Sequence, residues 1–122
     1  MTICESIGNC IWKQVGETRY EVSDTGLVRN AWTKRILKQY KGRDGYMTVG
    51  LRILGKTKSI KVHILVLEAF ICSRPARMVC DHKDFDRTNN KVTNLEWVTP
   101  RENTRRAANA YRIGRIFEWW KI

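Results

Sequence analysis

The chain lacks the features that mark membrane-spanning and exported proteins. None of its apolar runs approaches the roughly 20 residues that a membrane-spanning helix needs. The opening residues, MTICESIGNCIW, contain no basic segment followed by an apolar one, so we expect no signal peptide. These absences predict a protein that has no membrane partner and works in the cytoplasm.

Paired cysteines are absent as well. The four cysteines, Cys4, Cys10, Cys72 and Cys80, contain no Cys-x-x-Cys pair, which is the usual spacing of a small zinc site. Without an export signal, we expect all four to be reduced thiols. A zinc site built from Cys80, His82 and two distant cysteines is the alternative, but zinc is not the metal that this spacing predicts.

Positive charge is what the chain has in excess. It holds 23 lysines and arginines against 12 acidic residues among its 122 residues, which gives a net charge of +11 and a pI near 9.9. The basic residues are spread along the chain, and five tryptophans and four tyrosines argue against disorder. This composition predicts one small folded domain that binds nucleic acid. A basic but inert surface is the alternative.

Residues 12–61 alternate between apolar and polar residues in short runs separated by turns, which is typical of antiparallel strands. Runs at 20–22, 27–29, 36–38 and 46–51 predict one small twisted sheet. A basic face on such a sheet suits contact with the DNA backbone, although an ordinary solvated position is the alternative for any single lysine. We expect the core face to carry Tyr20, Val22, Leu27, Val49 and Leu51, and the basic face to carry Arg19, Arg29, Lys34, Arg35, Lys38, Lys41, Arg43 and Arg52.

Residues 62–70, VHILVLEAF, change to a helical period. His63 lies at the start of this run, where a histidine is more often a packing or capping group than a catalyst. We therefore expect a short buried helix with a structural histidine. Its apolar face would hold Val62, Leu65, Val66 and Ala69.

Residues 79–106, VCDHKDFDRTNNKVTNLEWVTPRENTRR, predict a hairpin followed by a helix. Two short strands flank a loop, residues 84–93, that is rich in Asn and Asp, and these residues satisfy backbone groups in tight turns. The helix begins after Thr99, which is a good N-cap. Pro100 is favoured at the first helical position, and Glu102 would complete a capping box.

Three polar residues stand out in this stretch by their spacing. Asn94 follows His82 by 12 residues, and Asn103 follows Asn94 by nine. Phosphodiester hydrolysis needs an activated water and a cation that stabilises charge on the phosphate. A histidine held in one tautomer by an amide or carbonyl partner near Nδ1 suits the first task. A carboxylate and a side-chain carbonyl are hard oxygen ligands that suit Mg²⁺ in the second.

The string N-L-E-W-V-T-x-x-E-N, with Asp81-His82 ahead of it, resembles the HNH, or ββα-metal, endonucleases of the phage and intron homing type. The resemblance implies that His82 is the general base and that Asn94 orients the hairpin and this base. It implies that Asp81 and Asn103 bind one divalent metal, with Mg²⁺ expected and Mn²⁺ as an alternative. A DNA endonuclease is the implied function, leaving 5′-phosphate and 3′-hydroxyl ends, in the host cell cytoplasm if a phage encodes it.

The basic segment carries a second resemblance. The string YEVSDTGLVR at residues 20–29, with Trp12 before it and Gly45-Tyr46 after it, resembles the NUMOD-type DNA-binding module that precedes HNH domains. This resemblance implies that double-stranded DNA is the partner. The candidate DNA-contacting residues are Arg29, Lys34, Arg35, Lys38, Arg43, Arg52, Arg105 and Arg106.

These observations predict an α+β protein with a small N-terminal antiparallel β-sheet, a short helix and a ββα-metal motif. The predicted segments are a NUMOD-like module at residues 12–61, an HNH nuclease module at 62–110 and a tail of unassigned role at 111–122. The sequence leaves monomer or homodimer open, and with it a nick or a double-strand cut.

Alternatives remain at the site itself. Asp81 and His82 are adjacent, so a regular strand would point their side chains to opposite faces, and the site requires the strand to bend or end there. Asp84 and Asp86 are alternative metal ligands, but we expect them to structure the loop. The alternative function is a non-catalytic DNA-binding protein with a degenerate HNH fold.

Overall fold

The computed structural model describes residues 10–112. Neither helix within these residues is long and apolar enough to cross a membrane. The predicted tail at 111–122 lies outside the described residues, except for the backbone of the last two residues of α2. In chain order the elements are β1 (Trp12–Gln14), β2 (Tyr20–Ser23), β3 (Val28–Asn30), β4 (Gln39–Lys41), β5 (Met47–Ile53), β6 (Lys56–Lys61), α1 (Val62–Phe70), β7 (Val79–His82), a 3-10 turn (Val92–Asn94), β8 (Leu95–Val98) and α2 (Pro100–Arg112).

The N-terminal segment forms two antiparallel sheets, where the sequence predicted one. Their strand orders are β1-β2-β3 and β4-β5-β6. The strand predicted at 36–38 is wrong, since β4 begins only at Gln39 and Ile36 keeps a single bridge to Arg29. The reason is an Asn-stabilised turn: Asn30 Oδ1 accepts from the N–H groups two and three residues later, at 2.8 and 3.0 Å. This turn carries the chain off the first sheet before β4 begins.

The core face of β3 is shifted by one residue from its prediction. Val28 is fully buried, whereas Leu27, which the sequence placed in the core, is half-buried. The N–H of Leu27 donates to Ser23 Oγ at 2.9 Å in the preceding turn, so the strand begins one residue later. Gly26 in this turn has a φ of +94°, and a Cβ there would lie 2.9 Å from Asn90 Cβ. Only glycine suits both that angle and that approach.

One hydrophobic core joins the two predicted segments. Helix α1 begins and ends where the sequence periodicity placed it, and it packs against strands of both N-terminal sheets and against β8. Burying one such Val or Leu side chain stabilises the fold by about 1.5–3 kcal/mol, so α1 fixes the hairpin β7–β8 to the sheets. The buried core residues are Tyr20, Val22, Val28, Val49, Leu51, Val62, Leu65, Val66, Leu67 and Leu95.

The hairpin of β5 and β6 closes with the two-residue turn Leu54-Gly55. Ile53 pairs with Lys56 across it, and both turn residues have positive φ angles, +52° at Leu54 and +78° at Gly55. Asn-Gly is the preferred sequence for a turn of this type. A leucine in the left-handed region costs about 1–2 kcal/mol, and this leucine is 95% exposed.

Candidate active site

Strand β7 ends at His82, but Asp81 and His82 both still lie within its regular pairing with β8, so their side chains lie on the two faces of the hairpin. In the antiparallel pair with β8, Asp81 lies opposite Glu96 and His82 opposite Leu95. Each of these two residues is only 5% exposed. Their partners differ, because Asp81 contacts helix α2 whereas His82 contacts the loop, helix α1 and Tyr46. The hairpin therefore offers two buried polar groups on its two sides at one strand end.

Asn94 closes the loop between the two strands. Its Oδ1 accepts from the N–H of Asp84 at 3.1 Å, and its Nδ2 donates to Asp84 Oδ1 and to the carbonyl of Asn89, both at 2.9 Å. Its own carbonyl accepts from the N–H of Lys83 at 2.8 Å. Because Asn94 is buried, these bonds act without competition from water. Asn94 therefore holds the loop of the hairpin, and its side chain acts on the loop and not on the His82 ring.

Asp84 and Asp86 make the loop-structuring hydrogen bonds that the sequence predicted. Asp84 accepts from the N–H of Asp86 at 2.8 Å and from Asn89 Nδ2 at 2.8 Å. Asp86 accepts from both the N–H and the hydroxyl of Thr88, at 2.9 and 2.6 Å. Both side chains thus stabilise the loop through its own backbone and side chains.

Asn90 fixes the imidazole of His82. The Nε2–H of His82 donates to Asn90 Oδ1 at 2.9 Å, and Asn90 is 4% exposed. The sequence predicted an amide or carbonyl partner near Nδ1, whereas the amide partner lies at Nε2, so Nδ1 is left to accept a proton. Burial lowers the pKa of His82, and the hydrogen bond to Asn90 opposes this only in part. The ring is therefore neutral near neutral pH, the form that a general base needs.

A second histidine lies against the first. The ring centroid of His63 is 5.2 Å from that of His82 and 4.8 Å from that of Tyr46, and Tyr46 is itself 5.6 Å from His82. His63 is 5% exposed, and its buried Nδ1 has no hydrogen-bond partner among the described residues. Burial lowers the pKa of His63 to about 3, and repulsion from the His82 ring when that ring is protonated adds to this effect. His63 and Tyr46 line a cavity of about 390 Å³ that Asn103 of α2 also lines.

Helix α2 begins with the predicted cap. The N–H of Glu102 donates to Thr99 Oγ1 at 3.1 Å, and the N–H of Asn103 donates to the carbonyl of Thr99 at 2.9 Å. The other half of the predicted capping box is replaced, because the carboxylate of Glu102 pairs with Arg105 and with Arg106. Hydrogen bonding from these arginines, chiefly Arg106, lowers the pKa of Glu102.

Asp81 faces α2 through an ion pair with Arg106. Arg106 Nη1 donates to Asp81 Oδ2 at 2.8 Å and also pairs with Glu96, while its Nε donates to Glu102 Oε2 at 2.9 Å. Residues three apart on a helix lie on the same face, so Asn103 shares with Arg106 the face of α2 that is turned toward Asp81.

The donor chemistry at this interface fits a hard divalent cation. A carboxylate and an amide oxygen are the ligands that Mg²⁺ takes when phosphate and water complete its shell. The guanidinium at Asp81 shows that a positive charge is already held at this position. Asp81 and Asn103 carry oxygen atoms of this kind, and their role as metal ligands stays a prediction.

The zinc alternative would need a group of metal-binding side chains around Cys80 and His82. Residues 10–112 contain no cluster of three or more His, Cys, Asp or Glu side chains that could hold a metal ion. Cys80 and Cys72 are free, and burial raises the pKa of Cys80 to about 12. Cys10 is disulfide-bonded, so the prediction of four reduced thiols is wrong at that residue.

The predicted DNA-contacting residues divide into two groups. Arg29 and Arg106 are engaged inside the protein: Arg29 donates to Glu21 at 2.8 Å and stacks 3.8 Å from the ring centroid of Trp12. Arg106 binds the three carboxylates described above. The other six are exposed at the surface: Lys34, Arg35, Lys38, Arg43, Arg52 and Arg105.

Sequence reasoning missed the surroundings of His82. Asn90 was grouped with the loop-forming residues, and His63 was assigned a structural role. The sequence feature that could have pointed to His63 is that the chain holds only two histidines. The fold places their two rings together. The sequence placed Tyr46 in a strand and in the NUMOD-like pattern, and neither pattern predicts its contact with His82.

Comparisons with known proteins agree with this architecture. The family model described as HNH endonuclease matches residues 61–105, and the NUMOD4 motif matches residues 11–52. The DNA endonuclease I-HmuI of Bacillus phage SP01 is 40% identical over 94 residues, covering 75% of this chain and 54% of that protein. The H-N-H endonuclease F-TflI of Escherichia phage T5 is 32% identical over 90 residues, covering 71% of this chain and 46% of that protein.

A solved structure extends the similarity to three dimensions. It concerns DNA binding and cleavage by the HNH homing endonuclease I-HmuI, and it matches with a TM-score of 0.74 at 37% identity over 88% of this chain and 61% of that chain. The chain thus spans about half the length of the two phage enzymes that it matches.

Proposed function

Because this chain belongs to the HNH endonuclease family, we propose that it is a metal-dependent endonuclease that hydrolyses phosphodiester bonds of double-stranded DNA. In this proposal His82 is the general base, and Asp81 and Asn103 hold one divalent ion. HNH endonucleases generally use a divalent metal; we propose Mg²⁺, with Mn²⁺ as a substitute. The protein would act in the cytoplasm of the cell that contains its target DNA.

The arrangement of β7 against α2 is the observation that carries this proposal. Asp81 contacts the helix face that bears Asn103, through the 2.8 Å bond to Arg106. His82, the next residue, lies against His63 and Tyr46, which share a cavity with Asn103. In this proposal the phosphate binds beside Asn103, between Asp81 and His82.

His82 has the properties that the proton-transfer step requires. Its Nε2–H is bound by Asn90, so the neutral ring offers Nδ1 as the proton acceptor. In the proposed step Nδ1 takes a proton from water, the water oxygen attacks phosphorus, and the bond to the 3′ oxygen breaks. The departing 3′ oxygen takes a proton from solvent, which leaves a 5′-phosphate and a 3′-hydroxyl. A bound divalent ion would supply positive charge that stabilises the phosphate and the departing oxygen.

The exposed basic residues would hold the DNA. Arg43 and Arg52 belong to this exposed basic surface. Its lysines and arginines would neutralise DNA phosphates without recognising the base sequence. One catalytic site acts on one strand in each event, so a single chain would nick the duplex and a cut through both strands would take two events or two chains.

A plasmid-nicking experiment tests the proposal. Supercoiled plasmid is incubated with the protein in Mg²⁺, in Mn²⁺ and in EDTA, and the His82→Ala, Asn103→Ala and Asn109→Ala variants are compared. Asn109 is exposed on the same helix as Asn103 and is the matched control. We expect nicking that needs the metal, falls by about 10²–10⁴-fold in His82→Ala and is unchanged in Asn109→Ala.

Two results would decide against this function. Nicking that survives both His82→Ala and Asn103→Ala would remove these residues from the mechanism. DNA binding without nicking in either metal would instead favour the non-catalytic DNA-binding protein, in which the pairs of Asp81 with Arg106 and of His82 with Asn90 are purely structural.

A further inference from the structure

The residue at the tip of the β5–β6 hairpin is unfavourable there for two reasons, its backbone conformation and its exposure to solvent. Leu54 occupies a left-handed conformation, with a φ of +52°, and leaves 95% of its surface in solvent. Asn in place of Leu54, before Gly55, would relieve both costs, since Asn tolerates positive φ and is polar. Backbone strain at an exposed site points to a function that needs that side chain.

The surface around Leu54 is apolar and strongly basic. Residues 52–61 of the hairpin contain four lysines and arginines and no acidic residue. A groove of about 530 Å³ beside the tip is lined by Leu54 and by Trp32, which is 80% exposed. Arg19 and Arg52 line the same groove, and the Arg19 guanidinium lies 5.9 Å from the centroid of the Trp32 ring.

Two acidic residues also belong to this surface. Glu17 and Glu21 also line the groove. Glu21 is neutralised by Arg29 at 2.8 Å and by Lys34 at 3.7 Å. The net field at the tip is therefore positive, which matches a polyanion.

We propose that Leu54 is a wedge that enters between two DNA base pairs from the minor groove while the hairpin cations contact the flanking phosphates. Leucine is among the apolar side chains that proteins insert in this way, partly unstacking a base step and bending the duplex. The cations of the hairpin fix the depth and register of the tip through the backbone. Insertion would remove the Leu54 side chain from water. The strained turn holds this side chain at the tip of the hairpin, beyond the ends of β5 and β6.

A second copy of this chain is a poorer occupant for the same surface. A twofold contact between two tips would place identical cations opposite each other, and like charges at an interface disfavour association. DNA offers base pairs to the apolar side chain and phosphates to the cations around it. The inference rests on the proposed function only in requiring DNA as the ligand, and it does not require cleavage.

Relaxation of plasmid DNA by a metal-independent topoisomerase in EDTA tests the wedge without knowledge of the target sequence. A side chain that unstacks base pairs untwists the duplex, so bound protein changes the linking number after relaxation. The full chain, Leu54→Asn and Leu54→Met are compared at equal DNA occupancy. Leu54→Met keeps an apolar side chain and the strained backbone, whereas Leu54→Asn removes both.

We expect the full chain and Leu54→Met to change the linking number, and Leu54→Asn to change it at least about 5-fold less, with DNA affinity reduced about 10-fold. Urea denaturation should show Leu54→Asn to be at least as stable as the full chain, so misfolding cannot explain the loss. Equal linking-number changes in Leu54→Asn and the full chain would overturn the wedge. So would a dimer seen by sedimentation that Leu54→Asn abolishes. Absence of nicking in Mg²⁺ would overturn the proposed function alone, because the topological measurement is made in EDTA.

Discussion

Arg106 donates a 2.8 Å hydrogen bond to Asp81 and thereby places a guanidinium on the carboxylate that is proposed to hold the metal. The Asp81 side chain is only 6% exposed, so its charge would be costly without a cation. Glu96 and Glu102 bind the same guanidinium, and their hydrogen bonds together with that of Asp81 raise the pKa of Arg106. A metal ion at Asp81 must therefore compete with Arg106.

Replacing Arg106 should separate stability from metal affinity. Arg106→Gln leaves Asp81 without its cation, so we expect the free energy of unfolding in EDTA to fall by about 1–3 kcal/mol, less than for a fully buried pair because Arg106 is partly exposed. We also expect Mn²⁺ to bind the variant several-fold more tightly, as measured by calorimetry, and to restore part of the lost stability.

Arg105→Gln is the matched control, since Arg105 is an exposed neighbour that pairs only with Glu102 among the described carboxylates. Its effect on stability should stay within about 0.5 kcal/mol. Weaker Mn²⁺ binding in Arg106→Gln would mean that Arg106 supports the metal site and does not compete for it.

Removal of the Asn94 side chain should loosen the loop that carries Asn90. Asn94→Ala deletes three buried hydrogen bonds, and we expect a loss of about 2–4 kcal/mol in the free energy of unfolding. Nicking activity should fall more than stability accounts for, because Asn90 positions His82. Urea denaturation and the plasmid assay measure the two effects, and a stable Asn94→Ala protein with full activity would contradict this role.

The buried neutral state of His63 should make stability depend on pH. Its pKa is about 3 in the folded protein and about 6.5 when unfolded, so the unfolded chain binds more protons between these values. The free energy of unfolding should therefore fall as pH drops below about 6.5, with a slope approaching about 1.4 kcal/mol per pH unit. Urea denaturation between pH 7 and 5 measures this slope before carboxylates titrate.

His63→Phe keeps an aromatic ring against Tyr46 and should reduce that slope. The remaining slope would come from His82, whose pKa burial also lowers. Since the chain has two histidines, imidazole NMR signals can be followed individually. A His63 signal that titrates near pH 6.5 in the folded protein would show that the ring is not held neutral.

Exposed and engaged arginines should differ in how they affect DNA binding. Arg43→Gln and Arg52→Gln should each lower the slope of log affinity against log salt by about 1, because each removes one phosphate contact. Arg29→Gln should leave this slope nearly unchanged but reduce stability, because Arg29 binds Glu21 and stacks on Trp12. Fluorescence anisotropy in EDTA over a range of salt measures the slopes. Equal slopes in all three variants and the full chain would place DNA on another surface.

Local signals in the sequence predicted the elements that they control directly. The bounds of α1 followed from apolar spacing, and the start of α2 followed from Thr99, whose hydroxyl accepts from the N–H of Glu102. The division into two sheets and the one-residue shift at Val28 were not predicted. Both depend on turns in which Asn30 and Ser23 accept backbone hydrogen bonds, and such turns compete closely with a continuous strand.

The sequence by itself determined the α+β class, the basic character, the hairpin and capped helix, and the choice of His82, Asn94 and Asn103, because these depend on composition, periodicity and short spacings. Only the tertiary structure decided which side chains touch. It placed His63 against His82 across 19 residues of chain and Arg106 on Asp81 across 25. It also left Leu54 alone in solvent. Contacts between distant residues depend on how the shared core packs α1 between the sheets and the hairpin, and no local pattern encodes that packing.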